Sequence, residues 1–315
     1  MKHSMLIHPE ELSREWIDRL ADAGIGVLGI HPCGGKHAHE FLERLLEQME
    51  TKEYRDLIDY AHSRGLEVEY EIHSMGYLLK RDLFAQHPEY FRMNENGERT
   101  NDYNMCASHA EAVDLVAKNA AVLARSLYGS NHNFYFWLDD ERHTSCQCPS
   151  CKHMSASDQQ LLLLNAMLRE IRRYIPDARM AYLAYYGSLV PPQEVTPDEG
   201  IFLEYAPLEK YIAMGDDAEE RITREKEMIP FLIKAFDNAP KKVLEYWYDN
   251  SMLSKWRKPP KEFVLNEEAM IADVEEYRRA GFQSFSTFAC FLGKDYEDLY
   301  GGVDVLPFAK AIGKL

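Results

Sequence analysis

The sequence lacks any long hydrophobic run and any run of basic residues. Its apolar stretches are far shorter than the roughly 20 residues that cross a bilayer, and residues 1–8 lack the apolar core of a signal peptide. Lys and Arg number 36 against 52 Asp and Glu, without a cluster that could follow a phosphate backbone. We therefore expect neither a membrane nor a nucleic-acid partner. We also expect a cytoplasmic protein, or an exported one if a signal peptide has been removed.

Internal repeats, Pro-rich linkers and Gly-rich strand-to-helix turns are also missing. The first two absences favour one domain over residues 1–315, and the third argues against a dinucleotide cofactor. We expect catalysis to need no cofactor. The sequence carries no signal for an oligomeric state.

Short apolar runs alternate with longer amphipathic stretches, which is typical of a parallel sheet wrapped by helices. We predict an α/β fold, a single (β/α)8 TIM barrel with long loops on the C-terminal face. The predicted strands are residues 25–30, 66–73, 104–106, 133–139, 179–186, 200–205, 242–248 and 284–289. The predicted helices are residues 40–64 with a break, 108–127, 157–174, 218–236 and 266–280. The long insertions at 74–102 and 250–260 then leave the face that carries chemistry in such barrels.

The most informative run is residues 134–141, Phe-Tyr-Phe-Trp-Leu-Asp-Asp-Glu, an apolar strand that ends in three acids. Buried strands rarely end in this way, and the C-terminal end of a barrel strand faces the pocket. Asp139, Asp140 and Glu141 are therefore the candidate catalytic residues.

Other predicted strands end in polar and aromatic side chains that suit a sugar, whose hydroxyls need hydrogen bonds and whose C–H faces pack on rings. Alternation in the second predicted strand turns Glu69, Glu71 and His73 inward and Val68 and Tyr70 toward the helices. The candidate substrate-binding residues are His31, His73, Asn104, Tyr186, Glu204, Glu245, Tyr246 and Trp247.

Two mechanisms of glycoside hydrolysis remain open at this stage. In one, neighbouring acids divide the work: one protonates the leaving oxygen while the other orients a substrate acetamido group that acts as nucleophile. In the other, one of the three acids works with a carboxylate across the barrel, Glu204 or Glu245. The acids could also simply solvate a loop or bind a cation.

A cluster of cysteines, Cys146, Cys148 and Cys151, follows the acids with His143 and His153 beside it. Three thiolates at this spacing supply part of a tetrahedral zinc site, which Cys33, Cys106 or a nearby histidine would have to complete. The alternatives are a turn held by thiol hydrogen bonds or, in an exported protein, a disulfide. A structural zinc ion is thus one prediction, and its role would be to shape the loop beside the acids.

The acids, the Cys-x-Cys-Pro-x-Cys run and the strand Ala-Tyr-Leu-Ala-Tyr at 181–185 resemble the domain of unknown function 4838 group. That resemblance implies a glycosidase-like barrel, similar in layout to β-hexosaminidases and α-glucuronidases. The hexosaminidase pattern implies that Asp140 orients the acetamido group and Glu141 protonates the leaving oxygen. Asp139 ahead of them makes an Asp139 and Asp140 pair equally admissible.

We therefore predict a glycoside hydrolase that acts on a saccharide containing N-acetylhexosamine or uronic acid, with an oligosaccharide or glycan as its partner. The alternative is a barrel that binds sugar without cleaving it. A metal-dependent amidohydrolase is disfavoured, because His37 and His39 lie too far beyond the first predicted strand.

Overall fold

Eight parallel strands, each hydrogen-bonded to the next and the last to the first, close into a barrel. The computed structural model describes residues 2–139 and 141–314. The strands are β1 Ser4–Ile7, β2 Val27–Ile30, β3 Glu67–His73, β4 Asn133–Trp137, β5 Arg179–Ala184, β6 Ile201–Tyr205, β7 Lys241–Glu245 and β8 Ser284–Phe288. The predicted TIM barrel is therefore confirmed.

Thirteen α-helices occur in the described ranges. They are α1 Arg14–Asp22, α2 Ala38–Met49, α3 Lys52–Ser63, α4 Met75–Leu78, α5 Ala110–Ser126, α6 Ala156–Ile171, α7 Glu209–Ile212, α8 Ala218–Glu227, α9 Ile229–Ala235, α10 Asn250–Leu253, α11 Glu267–Ala280, α12 Lys294–Tyr300 and α13 Leu306–Ala311. Short 3-10 turns lie at Pro9–Glu11, Arg81–Ala85, Pro88–Tyr90 and Tyr186–Ser188. The predicted break within residues 40–64 is confirmed, because Thr51 caps α3 by accepting a hydrogen bond from the Tyr54 backbone.

Seven of the eight predicted strands are confirmed, and one is wrong. Residues 104–106 contribute no barrel strand, since Met105 forms only an isolated antiparallel bridge with Phe91. The missing strand is β1, whose four residues are all buried. A four-residue strand at the start of the chain is too short for a pattern of period two to appear. The two errors cancel in the count, so the strand before the acids is the fourth, as predicted.

The predicted alternation in β3 is confirmed by its contacts. Val68, Tyr70 and Ile72 belong to the apolar layer between the sheet and the helices. Glu69 and Glu71 reach instead into the barrel, where both accept hydrogen bonds from Lys242 of β7. The interior therefore combines a charged layer with a smaller apolar cluster that includes Tyr135, Phe202 and Leu244.

Three glycines lie between the end of a helix and the start of the next strand. Gly24, Gly65 and Gly281 have φ angles of 71°, 81° and 107°, a region that costs residues with a Cβ atom. These turns return the chain to the N-terminal face of the barrel. The longer connections lie at the opposite, C-terminal face and form the site.

No helix within residues 2–139 and 141–314 is both long and apolar enough to cross a membrane.

Candidate active site

A cavity of about 390 Å³ opens at the C-terminal ends of the strands. Its size is in the range of small-molecule sites. Residues at or just after the ends of all eight strands line it, among them His8, His31, His73, Trp137, Glu141, Tyr185, Tyr186, Leu208, Tyr246, Asp249 and Phe288. Of the residues predicted to form the site, the structure thus brings together His31, His73, Glu141, Tyr186 and Tyr246.

Three histidines lie at the C-terminal ends of β1, β2 and β3 and are held by backbone carbonyls. The Nδ1 atoms of His8, His31 and His73 lie 2.8 Å, 2.8 Å and 2.9 Å from the carbonyl oxygens of His31, Glu71 and Leu138. Burial lowers the pKa of His31 well below its ordinary value, so this ring stays neutral. With Nδ1–H donating to a carbonyl, His31 and His73 present Nε2 as the nitrogen available to a ligand.

Aromatic rings surround the histidines and form much of the cavity wall. The Trp137 ring lies 5.5 Å from His31 and 5.1 Å from His73, and the Tyr246 ring lies 5.1 Å from Phe288. Tyr185 and Tyr186 pack on each other at 4.2 Å. Such walls suit a ligand with apolar faces and polar edges.

Two carboxylates of the described residues line the cavity, Glu141 after β4 and Asp249 after β7. Glu141 is exposed, whereas Asp249 caps α10 by accepting hydrogen bonds from the Ser251 backbone at 2.8 Å and hydroxyl at 2.6 Å. Burial raises the pKa of Asp249, and these bonds offset part of the rise. Asp249 directly follows the predicted strand 242–248 and belongs to the strand-end side chains suited to a sugar, but it was not among the candidate catalytic or binding residues.

Of the other two predicted acids, Asp139 and Asp140, the structure describes only Asp139. Asp140 lies outside the described residues. Asp139 lines a smaller neighbouring cavity that also borders Glu141, and its carboxylate pairs with Arg81 at 2.8 Å. Its backbone N–H donates to the side chain of Asn104 at 2.9 Å, and Asn104 donates in turn to Thr144 at 2.8 Å. Asn104 thus positions the acidic loop and does not line the main cavity.

Glu204 lies beneath the cavity floor, which corrects the prediction that it lines the wall. The Trp137 indole N–H donates to Glu204 at 2.9 Å, and Glu204 is fully buried. Trp137 therefore stands between Glu204 and the cavity.

Glu245 and Trp247 face the helices, which corrects their predicted place in the wall. Glu245 accepts hydrogen bonds from Lys210, Tyr211 and Tyr277. The Trp247 indole donates to Asp273 at 2.8 Å. Because side chains alternate along a strand, Lys242 and Leu244 turn inward and Glu245 turns outward. Tyr246 lines the cavity, and the sequence alone did not fix that register.

A charged cluster fills the barrel interior below the floor. Lys242 Nζ lies 3.2 Å from Glu69, 2.6 Å from Glu71 and 3.4 Å from Glu204. Burial raises the pKa of Glu71 and of Glu204. Burial alone would lower the pKa of Lys242, but the surrounding carboxylates hold it well above its ordinary value. The lysine is thus a fixed cation that ties β3, β6 and β7 together.

Four cysteines meet beside the acidic loop. Their ligand atoms, the sulfurs of Cys106, Cys146, Cys148 and Cys151, all lie within 4.8 Å of one another, and each residue is buried. The three predicted cysteines are therefore together, and Cys106 joins them where the sequence left Cys33, Cys106 or a histidine open. Cys33 lies elsewhere, on the wall of the main cavity, with its sulfur 3.6 Å from His8 Nε2.

Solved structures with a similar fold include a β-galactosidase from Rahnella sp. R3, a glycoside hydrolase, and endo-glycoceramidase II from Rhodococcus sp.. Their TM-scores are 0.54, 0.53 and 0.53, at 11%, 12% and 12% identity. The matches cover 91%, 91% and 98% of this chain and 50%, 88% and 77% of those chains, so the chain spans half the length of the β-galactosidase. At this identity the likeness concerns the fold.

No curated protein sequence matches the chain. A family of domains does match, over residues 37–249, a range that contains β3 to β7, the acids and all four clustered cysteines. The resemblance in the acidic and cysteine-rich runs is thereby confirmed. The chain belongs to the family described as domain of unknown function DUF4838.

Proposed function

We propose that the protein hydrolyses a glycosidic bond in the cavity at the C-terminal face of the barrel. The observation that carries the proposal is the pairing of two carboxylates, Glu141 and Asp249, with an aromatic wall in one cavity. Two of the solved structures with similar folds, the β-galactosidase and the glycoside hydrolase, are named for glycoside cleavage, which supports the same proposal.

Glycoside cleavage needs a proton donor for the leaving oxygen and a second group that stabilises or attacks the sugar carbon. Glu141 follows β4 and Asp249 follows β7, so the two acids approach the cavity from different sides of a closed barrel. In our proposal Glu141 is the proton donor. Asp249, which two hydrogen bonds from Ser251 hold in place, serves as nucleophile or as the base that activates water.

The substrate-assisted variant uses Asp140 in place of Asp249. In that variant Asp140 orients an acetamido group of the substrate, which attacks the sugar carbon, and Glu141 keeps its role. Asp139 is the weaker member of the acidic run, because its carboxylate is engaged by Arg81.

The cavity wall favours a neutral sugar. Among the described residues that line it there is no Lys or Arg, the side chains that bind carboxylates best. Of the two substrate classes that the sequence predicts, an N-acetylhexosamine therefore fits this wall better than a uronic acid.

The proposal is tested with a panel of 4-methylumbelliferyl glycosides and natural glycans, led by the β-N-acetylglucosaminide and including a glucuronide. We expect turnover by the parent chain and its loss in Glu141→Gln. Loss in Asp249→Asn would assign the two-carboxylate route, and loss in Asp140→Asn the substrate-assisted route.

Two matched controls carry the same chemical changes at the opposite end of the barrel. Glu199 and Asp237 are exposed in the loops that precede β6 and β7. Glu199→Gln and Asp237→Asn should keep full activity. A folded parent chain that binds glycans but cleaves none of them would contradict the proposal and support the non-catalytic sugar-binding barrel.

A further inference from the structure

We infer that Cys106, Cys146, Cys148 and Cys151 bind one zinc ion in a closed, structural site. The inference rests on the arrangement of these four side chains and is independent of the proposed hydrolysis.

The sulfur spacing matches a single tetrahedral ion. The Cys106 sulfur lies 3.7 Å from that of Cys148 and 3.8 Å from that of Cys151. A zinc ion with four thiolates at about 2.3 Å would hold its sulfurs about 3.8 Å apart. A disulfide would place them about 2.05 Å apart, so the four cysteines are not joined in pairs.

The four cysteines also have the burial that a structural site needs. Each is at most 3% exposed, so the four sulfurs are shielded from solvent. Structural zinc sites are closed by four protein ligands, whereas catalytic zinc sites keep one position open. The quartet therefore supplies the complete ligand set of a structural ion, and the ion would take no part in the proposed proton transfers.

Hydrogen-bond donors surround the sulfurs from outside. The Met93 backbone N–H donates to Cys146 at 3.3 Å, and the Arg99 guanidinium donates to the same sulfur at 3.7 Å. The Ser108 hydroxyl lies 3.4 Å from Cys106 and 3.7 Å from Cys148. Four thiolates and a zinc ion carry two net negative charges, which these donors and the arginine would stabilise.

Gln159 of α6 holds the cysteine-bearing loop in this shape. Its side-chain oxygen accepts from the Cys146 backbone at 2.9 Å, and its side-chain nitrogen donates to the carbonyls of Cys146 and Cys151 at 3.1 Å and 3.3 Å. The described residues between β4 and α6 contain neither helix nor strand. An ion would give this irregular loop the fixed centre that it otherwise lacks.

The ion would join two separate loops. Cys106 belongs to the long insertion between β3 and α5, and the other three cysteines belong to the loop after β4. Asn104, two residues before Cys106, binds the backbone of Asp139. The site thus links the insertion to the acidic run at the edge of the cavity.

The first experiment measures metal in the parent chain, expressed with zinc and purified under reducing conditions. We expect about one zinc ion per chain by elemental mass spectrometry, and zinc X-ray absorption that shows four sulfurs at about 2.3 Å. Substitution by Co²⁺ should give the visible absorption of a tetrahedral thiolate site. These readouts on the parent chain do not depend on activity or on any variant that fails to fold.

Single variants then separate the quartet from the other cysteines. Cys148→Ser should lose zinc, whereas Cys33→Ser and Cys290→Ser, the two cysteines outside the quartet, should keep it. A folded parent chain with no bound metal, or with the quartet paired in two disulfides by peptide mass spectrometry, would overturn the inference.

Discussion

The barrel interior and the barrel mouth both contain several acids, but the acids of the interior are buried around a lysine and those of the mouth border a cavity. In the interior, Glu69, Glu71 and Glu204 surround Lys242 in a sealed layer. At the mouth, Glu141 and Asp249 border an open cavity. Trp137 lies between the two regions, since it lines the cavity above and donates to Glu204 below.

This difference shows that the role of an acid depends on how deep it lies in the barrel and on which side of its strand its side chain points. Glu204 and Glu141 both lie near the ends of barrel strands, yet only Glu141 meets the cavity. A paired and buried carboxylate holds strands together, because leaving it unpaired would be costly. An acid that a ligand can reach is available for chemistry. The predictions below separate these two roles.

The largest effect is expected for the acid at the mouth. Removing a general acid typically costs about 10²–10⁴-fold in rate. Glu141→Gln should therefore lower kcat/KM by this range and leave the urea midpoint unchanged, because its side chain is exposed. Glu204→Gln is the matched variant in the interior. If Glu204→Gln lost as much activity as Glu141→Gln, the floor would not separate the two regions.

The second prediction concerns the cation of the interior. Lys242→Met keeps the length of the side chain but leaves three carboxylates buried without their partner. Removing one member of a buried ion pair typically costs about 3–5 kcal/mol. Urea titration followed by circular dichroism should show this loss of unfolding free energy. Lys234→Met, at an exposed position of α9, is the control and should change stability little.

The third prediction concerns the support of the acidic run. Asn104→Ala removes the acceptor of the Asp139 N–H and the donor to Thr144. A buried polar group that loses its partner typically costs about 1–3 kcal/mol. We expect urea titrations to show a loss of unfolding free energy of this size, and we expect the variant to have a lower kcat than the parent chain. Asn238→Ala, in the exposed turn before β7, should have neither effect.

The smallest effect is expected in the pH dependence of stability. Burial raises the pKa of Glu71 and of Glu204 above the ordinary value of 4.5. A carboxyl with a raised pKa in the folded chain contributes its full stability below pH 4.5 and loses it as pH rises through the folded pKa. Lys242, with a raised pKa, loses its contribution only at pH values above 10.5.

As pH rises from 4.5 through the raised pKa values of Glu71 and Glu204, the unfolding free energy should therefore decline through this cluster. Glu204→Gln removes one of the titrating groups, so urea titrations at several pH values should show a shallower decline than in the parent chain. A steeper decline in the variant would show that Glu204 is ionised across this range and stabilises Lys242.

The sequence predicted the barrel because seven of its strands carry long enough apolar runs, and glycine caps precede three of them. It missed β1, whose four residues are too few for periodicity. The site was predicted in the same uneven way. Their position at strand ends correctly marked His31, His73, Glu141, Tyr186 and Tyr246 as cavity residues. Glu245 and Trp247 were misplaced, because a shift of one residue along a strand turns each side chain to the opposite face. The approach of Cys106 to the other three cysteines does not follow from spacing, because it depends on how two separate loops fold. Asp249 did have a signal, its place just after a predicted strand.

The closed floor formed by Trp137 over Glu204 has a kinetic consequence. Because the barrel below this floor is filled by the Lys242 cluster, a ligand reaches and leaves the cavity from the C-terminal face. A polymer cannot thread through the barrel, so a bound chain end or branch must withdraw by the route it entered. Any product that lingers there blocks the next molecule, and its inhibition should be competitive with substrate.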